Sequence, residues 1–179
     1  MLNLPNRITV VRICLVPLFV VLALCPIRLG LLWAAIVFVV AAISDAADGH
    51  IARSRNLTTN TGKFLDPLAD KILVDAALVC LIYHQLLPAW VLILILFRDL
   101  AVDGLRLLAA EQGVVIAASK WGKSKTTAQM VMVVALLILG MGVNWPLYQA
   151  LCQVLIWLAV LLTVISGADY LRKGWQYVR

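Results

Sequence analysis

The sequence predicts an all-α integral membrane protein: six transmembrane helices with a short N-terminal interfacial segment. Three observations carry this. Apolar residues make up 64% of the 179-residue chain and charged residues only 13%, and the mean hydropathy is +1.00. Soluble domains hold roughly 45–50% apolar residues, and no soluble fold of this length has interior enough for the excess. The apolar residues also fall into six runs, each near the ~20 residues that a helix needs to cross the hydrocarbon layer. Finally, Lys and Arg collect in alternate connections between those runs, as they do in multi-pass proteins. A single domain, 1–179, is the expectation for this length.

Residues 2–7, "LNLPNR", read as an interfacial stretch before the first span, 8–26. A cleaved signal peptide is set aside, because the apolar run is too long, no small-x-small site follows, and further spans come after it. Pro26, Arg28 and Gly30 break the chain before span two, 31–52. The polar stretch from Ser54 to Lys63 separates it from span three, 66–86. There Asp66 before Pro67 has the form of an N-cap followed by a first-turn proline. Pro88 opens span four, 88–110, and Gly113 to Lys125 form a second polar link. Span five, 125–143, ends at the turn marked by Asn144 and Pro146, and span six covers 147–170. There is no internal repeat or low-complexity tract.

With the N-terminus inside, the inner links hold Arg7, Arg53, Arg55, Lys63, Lys120, Lys123, Lys125, Arg172, Lys173 and Arg179, and the outer links hold only Arg28. The positive-inside rule therefore places both termini on the cytoplasmic side. This asymmetry accounts for the net charge of +6, so no nucleic-acid partner is implied. Cys14, Cys25, Cys80 and Cys152 lie scattered in apolar runs without CxxC spacing, which argues against a zinc or redox site. Trp33, Trp90, Trp121, Trp145 and Trp175 sit near span ends, as interfacial aromatics do. His50 and His84 have no evident partners and read as surface residues.

Against this oily background, five of the nine acids crowd into residues 44–76: Asp45, Asp48, Asp66, Asp70 and Asp75. The topology puts the first two at the cytoplasmic end of span two and the next two at the cytoplasmic start of span three. Asp45, Asp48, Gly49 and Ala52 share one helical face, and Asp66 and Asp70 share another. Four carboxylates in a low-dielectric site repel one another unless cations, protons or pairing offset them. Arg53, Arg55, Lys63 and Lys71 account for two of the acids, hardly for four. Hard oxygen donors suit Mg²⁺, Mn²⁺ or Ca²⁺ rather than zinc, and two such ions would leave positive charge for a phosphate substrate. Gly49, Ala52 and Gly62 give a ligand room to approach the backbone. Metal-dependent chemistry on phosphate is one reading. A proton or cation path in a transporter or channel is the other, because intramembrane acids mark those as well.

The order Asp45-AA-Asp48-Gly49-HI-Ala52-Arg53, eight residues, Gly62-KFL-Asp66-PLA-Asp70 resembles the signature of the CDP-alcohol phosphatidyltransferases at every fixed position. The stretches "LPNRITVVR", "RDLAVDGLRLLAAEQG" and "GKSKTTAQ" are similar to the bacterial branch whose acceptor is sn-glycerol 3-phosphate. The resemblance implies an enzyme of the bacterial inner membrane, active on its cytoplasmic side, that moves phosphatidyl from CDP-diacylglycerol to an alcohol and releases CMP. It implies Mg²⁺ or Mn²⁺, two ions, held by Asp45, Asp48, Asp66 and Asp70, with Asp70 also the general base. It implies CDP and diphosphate contacts from Asp45, Asp48, Gly49, Ala52, Arg53 and Gly62, a homodimer, and membrane lipids as surroundings. Serine, inositol phosphate or phosphatidylglycerol are the alternative acceptors.

Two residues depart from the resemblance: Glu is expected where Asp99 follows Arg98, and an uncharged residue where Asp103 stands. For the acceptor phosphate, the candidates are Arg106, Lys123, Lys125 and Arg98. Arg98 sits well inside span four, where an unpaired charge is costly, so pairing with Asp99 or Asp103 competes with phosphate binding. Asn6, Thr9, Arg12 and Thr126 are additional candidates, the first three with a plain alternative as anchors of span one. Asp75 is expected to pair with Lys71 or with another span.

Overall fold

The computed structural model describes residues 4–26, 28–54, 60–114 and 119–174, apart from the side chains of 4–12, 45–54, 60–70 and 173. Six α-helices and no strand occur among the described residues: α1 (Leu4–Leu24), α2 (Gly30–Ser54), α3 (Asn60–Tyr83), α4 (Ala89–Glu111), α5 (Lys120–Gly140) and α6 (Pro146–Gly174). α5 and most of α6 are long and apolar enough to cross a membrane, and Ile13–Leu24 and Gly30–Ser44 are shorter apolar helices. Outward-facing Leu147, Val154, Trp157, Leu161 and Val164 on α6 are exposed. In water such a surface would be a liability; in lipid it is the matching solvent. The chain is an all-α membrane protein.

Helix ends differ from the hydropathy boundaries. Residues 4–7 already belong to α1 instead of forming a separate segment, and α3 begins six residues before Asp66. Asp66 is therefore interior to α3, not its N-cap, and Gly62 and Lys63 lie in the first turn of the helix. Hydropathy marks where apolar surface stops. A helix continues past that point when the polar residues beyond it are compatible with helical backbone. The C-terminus of α4 is set by backbone chemistry. Gly113, at φ +75°, donates to Ala110 O at 3.0 Å, and Val114 N donates to Ala109 O at 2.9 Å. This is a Schellman closure, and its left-handed residue is the one that glycine adopts without steric cost. α3 closes in the same way through Leu86 N to Leu81 O, 2.9 Å, with Gln85 in the left-handed position at φ 59°.

The described chain forms two compact units. The first comprises residues Met1–Leu87 and Val133–Asn144, with α1 packed against both α2 and α3. Phe19 of α1 and Phe38 of α2 are fully buried, with ring centroids 6.0 Å apart. His84, read above as a surface residue without a partner, instead clips two helices together: its Nε2 lies 2.7 Å from Ala23 O near the end of α1. The carbonyl can only accept, so Nε2 carries the proton.

The second unit comprises Pro88–Met132 and Trp145–Arg179, with α4 packed along α6. α4 buries Val91, Ile95, Val102, Leu105 and Ala109, a stripe at three- and four-residue spacing. α6 buries Ile156, Ala159, Thr163, Ser166 and Tyr170 on the same period. Small residues let the two backbones close. A Cβ on Gly167 would lie 3.2 Å from Arg98 Cγ, and one on Gly174 would lie 3.2 Å from Leu105 Cδ1. Within a bilayer, such close packing replaces the hydrophobic drive that water supplies. The hydroxyls on this stripe are satisfied inside α6, Thr163 by Ala159 O at 2.7 Å and Ser166 by Thr163 O at 3.2 Å.

Candidate active site

The acid signature lies on two consecutive helices of the first unit. Asp45, Asp48, Gly49, Ala52 and Arg53 occupy the last ten residues of α2, and Gly62, Asp66 and Asp70 the first eleven of α3. Their side chains lie outside the described residues, as do those of Asn6, Thr9 and Arg12 on α1. What the backbone supplies is register and reach. Asp45 and Asp48 are three residues apart on one continuous helix, Asp66 and Asp70 four apart on the next, so each pair shares a face. From Ser54 to Asn60 the chain can span at most ~20 Å at 3.3–3.6 Å per residue, which ties the end of α2 to the start of α3. The donor set is carboxylate oxygen alone, which fits a hard divalent ion and not zinc. Among the residues whose side chains are described, no group of three or more His, Cys, Asp or Glu is placed to hold a metal.

The cationic candidates lie in the second unit, and there the side chains are described. Lys125, only 3% exposed, reaches back from α5 to α4 and places Nζ 2.7 Å from each oxygen of Asp99. Arg98 donates from Nη1 to Asp99 Oδ1 at 2.8 Å. One carboxylate thus pairs with two cations: the shortened acid at position 99 engages both Arg98 and Lys125. Arg106 donates from Nη2 to the Tyr170 hydroxyl of α6 at 2.7 Å. The Ser119 amide donates to the same oxygen at 2.8 Å. The Tyr170 ring also carries both guanidinium groups, with Cζ of Arg98 at 5.2 Å and Cζ of Arg106 at 5.1 Å from its centroid. Both distances are within cation–π range.

Among the described residues, four buried donor atoms have no hydrogen-bond partner: Arg98 Nε, Arg98 Nη2, Arg106 Nε and, on α5, Gln129 Nε2. Leaving a buried donor unmet costs about 1–3 kcal/mol, more for a charged group, so the three unmet nitrogens of Arg98 and Arg106 can each still take a hydrogen-bonding partner. The two atoms on Arg98 lie along one edge of the guanidinium, the fork that grips two oxygens of a carboxylate or phosphate at once. Asp99 therefore orients Arg98 by its third nitrogen and leaves that fork open. Pairing and anion binding were competing expectations for Arg98; the geometry permits both together.

The remaining candidates separate. Lys123 is exposed and stands two residues from Lys125, on the opposite side of α5. Thr126 turns its hydroxyl onto Gly122 O at 3.2 Å. Ser119 caps α5, its Oγ accepting from Gly122 N at 3.1 Å. Tyr170, Gln129 and Ser119 were not singled out from the sequence. An aromatic at the end of an apolar run looks interfacial, and nothing local reveals that it meets α4. Gln129 did carry a signal: it is one turn beyond Lys125 on the same face, a polar group inside an apolar helix.

The family profile described as CDP-alcohol phosphatidyltransferase matches residues 2–165. A Bacillus subtilis protein named CDP-diacylglycerol–glycerol-3-phosphate 3-phosphatidyltransferase is 44% identical over 194 aligned positions, covering 100% of this chain and 98% of its own. A protein of the same name from Rickettsia bellii is 35% identical, covering 98% and 97%. A Mycobacterium tuberculosis protein named probable phosphatidylglycerophosphate synthase is 40% identical, covering 96% of this chain and 81% of its own.

Proposed function

The chain belongs to the CDP-alcohol phosphatidyltransferase family, and on that premise we infer that it transfers phosphatidyl from CDP-diacylglycerol to sn-glycerol 3-phosphate, giving phosphatidylglycerol phosphate and CMP. The acceptor hydroxyl attacks the phosphatidyl phosphorus. A new P–O bond forms, the P–O bond to CMP breaks, and CMP leaves with the electron pair. Asp70 takes the proton of the attacking hydroxyl, a contribution of the kind expected from a positioned base. Asp45, Asp48 and Asp66, with Asp70, would hold two Mg²⁺ or Mn²⁺ ions, which when bound neutralise the diphosphate and the charge that develops on the leaving group. Arg53 adds a cationic contact to the diphosphate, and Gly49, Ala52 and Gly62 leave space for the CMP moiety.

The observation that carries the acceptor assignment is the open fork of Arg98. Its Nε and Nη2 are buried without a partner, while Nη1 is fixed by Asp99 at 2.8 Å. A phosphate monoester offers the paired oxygens that such a fork binds; free glycerol does not. Arg106 Nε supplies a third unmet donor. Lys125 holds Asp99, and through it the orientation of Arg98. Exposed Lys123 contributes longer-range attraction at the entrance. The enzyme sits in the bacterial inner membrane as a homodimer, with termini and active site on the cytoplasmic side, where a water-soluble acceptor meets a two-chain lipid donor. The inner-link excess of Lys and Arg supports that orientation.

The test is an acceptor panel. Purified protein with CDP-diacylglycerol should release CMP with glycerol 3-phosphate and far more slowly with glycerol, serine, inositol phosphate or phosphatidylglycerol. Comparable or faster release with another acceptor would reassign the pocket.

A further inference from the structure

We propose that Tyr170 is a positioning residue for the acceptor site, acting through Arg106 and Arg98 without contacting the substrate. This rests on the reading of the cationic cluster as the acceptor-phosphate site.

Arg98 and Arg106 lie eight residues apart on α4, about 12 Å along the axis at 1.5 Å per residue. Yet both guanidinium carbons lie within 5.2 Å of the centre of one ring. Two like charges brought to one ring in a low-dielectric interior need their repulsion offset. Asp99 does this for Arg98 at 2.8 Å, and the π-face of Tyr170 adds cation–π attraction to both guanidinium groups. Its hydroxyl then fixes what the ring only attracts. The phenol oxygen accepts from Arg106 Nη2 at 2.7 Å and from Ser119 N at 2.8 Å, which fills both of its acceptor positions. Ser119 is the capping residue of α5, the helix that carries Lys125. One side chain from α6 thereby sets the Arg106 head from α4 and the first turn of α5 in a common frame.

The fit around the ring is close. A Cβ on Gly122 would lie 3.5 Å from both Tyr170 Cε2 and its hydroxyl, ordinary contact with no space left over. Tyr170 is only 2% exposed. With its oxygen accepting from two protein donors, it is placed to organise the cations around it. Among the described residues, three of the four buried nitrogens left without partners belong to Arg98 and Arg106, the groups that Tyr170 holds.

The experiment is a double-mutant cycle on the full-length enzyme in lipid–detergent micelles. It compares Tyr170→Phe, Arg106→Ala and the double variant, and reads kcat, the apparent KM for glycerol 3-phosphate and the KM for CDP-diacylglycerol. Phenylalanine keeps the ring under both guanidinium groups and removes only the hydroxyl. We expect Tyr170→Phe to raise the acceptor KM about tenfold, the loss of one charge-assisted hydrogen bond's worth of ordering, with kcat and the donor KM within about twofold. Because Tyr170 acts through Arg106, the double variant should match Arg106→Ala alone, a coupling that independent residues do not show. If the two effects multiply, Tyr170 does not act through Arg106 and the proposal is overturned. If Arg106→Ala raises the acceptor KM and Tyr170→Phe does not, the proposal fails while the acceptor site stands. If Arg106→Ala leaves the acceptor KM unchanged, the acceptor-site reading itself fails. A Tyr170→Phe enzyme with a lower melting temperature and both KM values raised alike would mark a general structural role and overturn the proposal.

Discussion

Replacing Arg98 by Lys separates charge from geometry at the proposed acceptor site. Arg98 meets Asp99 through Nη1 at 2.8 Å, and its Nε and Nη2 are buried and unmet. Lysine keeps the positive charge, and its ammonium can take over the Asp99 contact, so the ion balance with Lys125 survives. What disappears is the planar fork. A phosphate held by two charge-assisted bonds would retain one at best. Each such bond contributes about 1.5–3 kcal/mol, so losing one weakens acceptor binding about 10- to 150-fold, at tenfold per 1.4 kcal/mol. The assay is the initial rate of CMP release against glycerol 3-phosphate concentration at saturating CDP-diacylglycerol. The acceptor KM should rise within that range while the CDP-diacylglycerol KM moves by no more than about twofold. An Arg98→Lys enzyme with an unchanged acceptor KM would refute the fork as the phosphate receptor. A rise confined to the CDP-diacylglycerol KM would move the cluster to the nucleotide side of the reaction.

Asp70→Asn should keep CDP-diacylglycerol binding and lose roughly 10²–10⁴ in kcat, the usual contribution of a positioned base; parent-like turnover would transfer that role elsewhere. Chelation should abolish CMP release and Mg²⁺ or Mn²⁺ should restore it; Asp45→Ala, Asp48→Ala and Asp66→Ala should each insert into membranes yet be nearly inactive. Lys125→Ala removes the partner that touches both oxygens of a mostly buried Asp99 and leaves Arg98 to pair with it, so the cost should stay below the ~3–5 kcal/mol of a buried charge with no partner, read as a modestly lower melting temperature. Exposed Lys123, replaced by Ala, should leave the melting temperature unchanged and raise the acceptor KM by at most about threefold.

The helices were legible because apolar runs of spanning length have few other uses, and six of them were found where the hydropathy placed them. Their ends were not. Asp66–Pro67 looks like a helix start in isolation, but α3 already runs from Asn60, since the polar residues before Asp66 tolerate helical backbone. The acid signature could be read as chemistry because charge in an apolar chain demands a reason. Arg98, Arg106 and Lys125 stood out on the same ground. Their arrangement could not be read, because Lys125 finds Asp99 across 26 residues and Arg106 finds Tyr170 across 64. Contacts of that range arise where α5 and α6 meet α4, not from local pattern. Because α5 begins at Lys120 and not at Lys125, Lys123 and Lys125 stand two apart on one helix and cannot face the same way.

The most direct measurement is the mass of the lipid formed in one reaction from CDP-diacylglycerol of defined acyl chains and glycerol 3-phosphate, with CMP counted alongside. The account predicts a single new lipid, phosphatidylglycerol phosphate carrying both donor chains, and one CMP for each molecule formed. CMP released together with phosphatidic acid would show water in place of the acceptor. That outcome, or no CMP at all, would contradict phosphatidyl transfer to glycerol 3-phosphate.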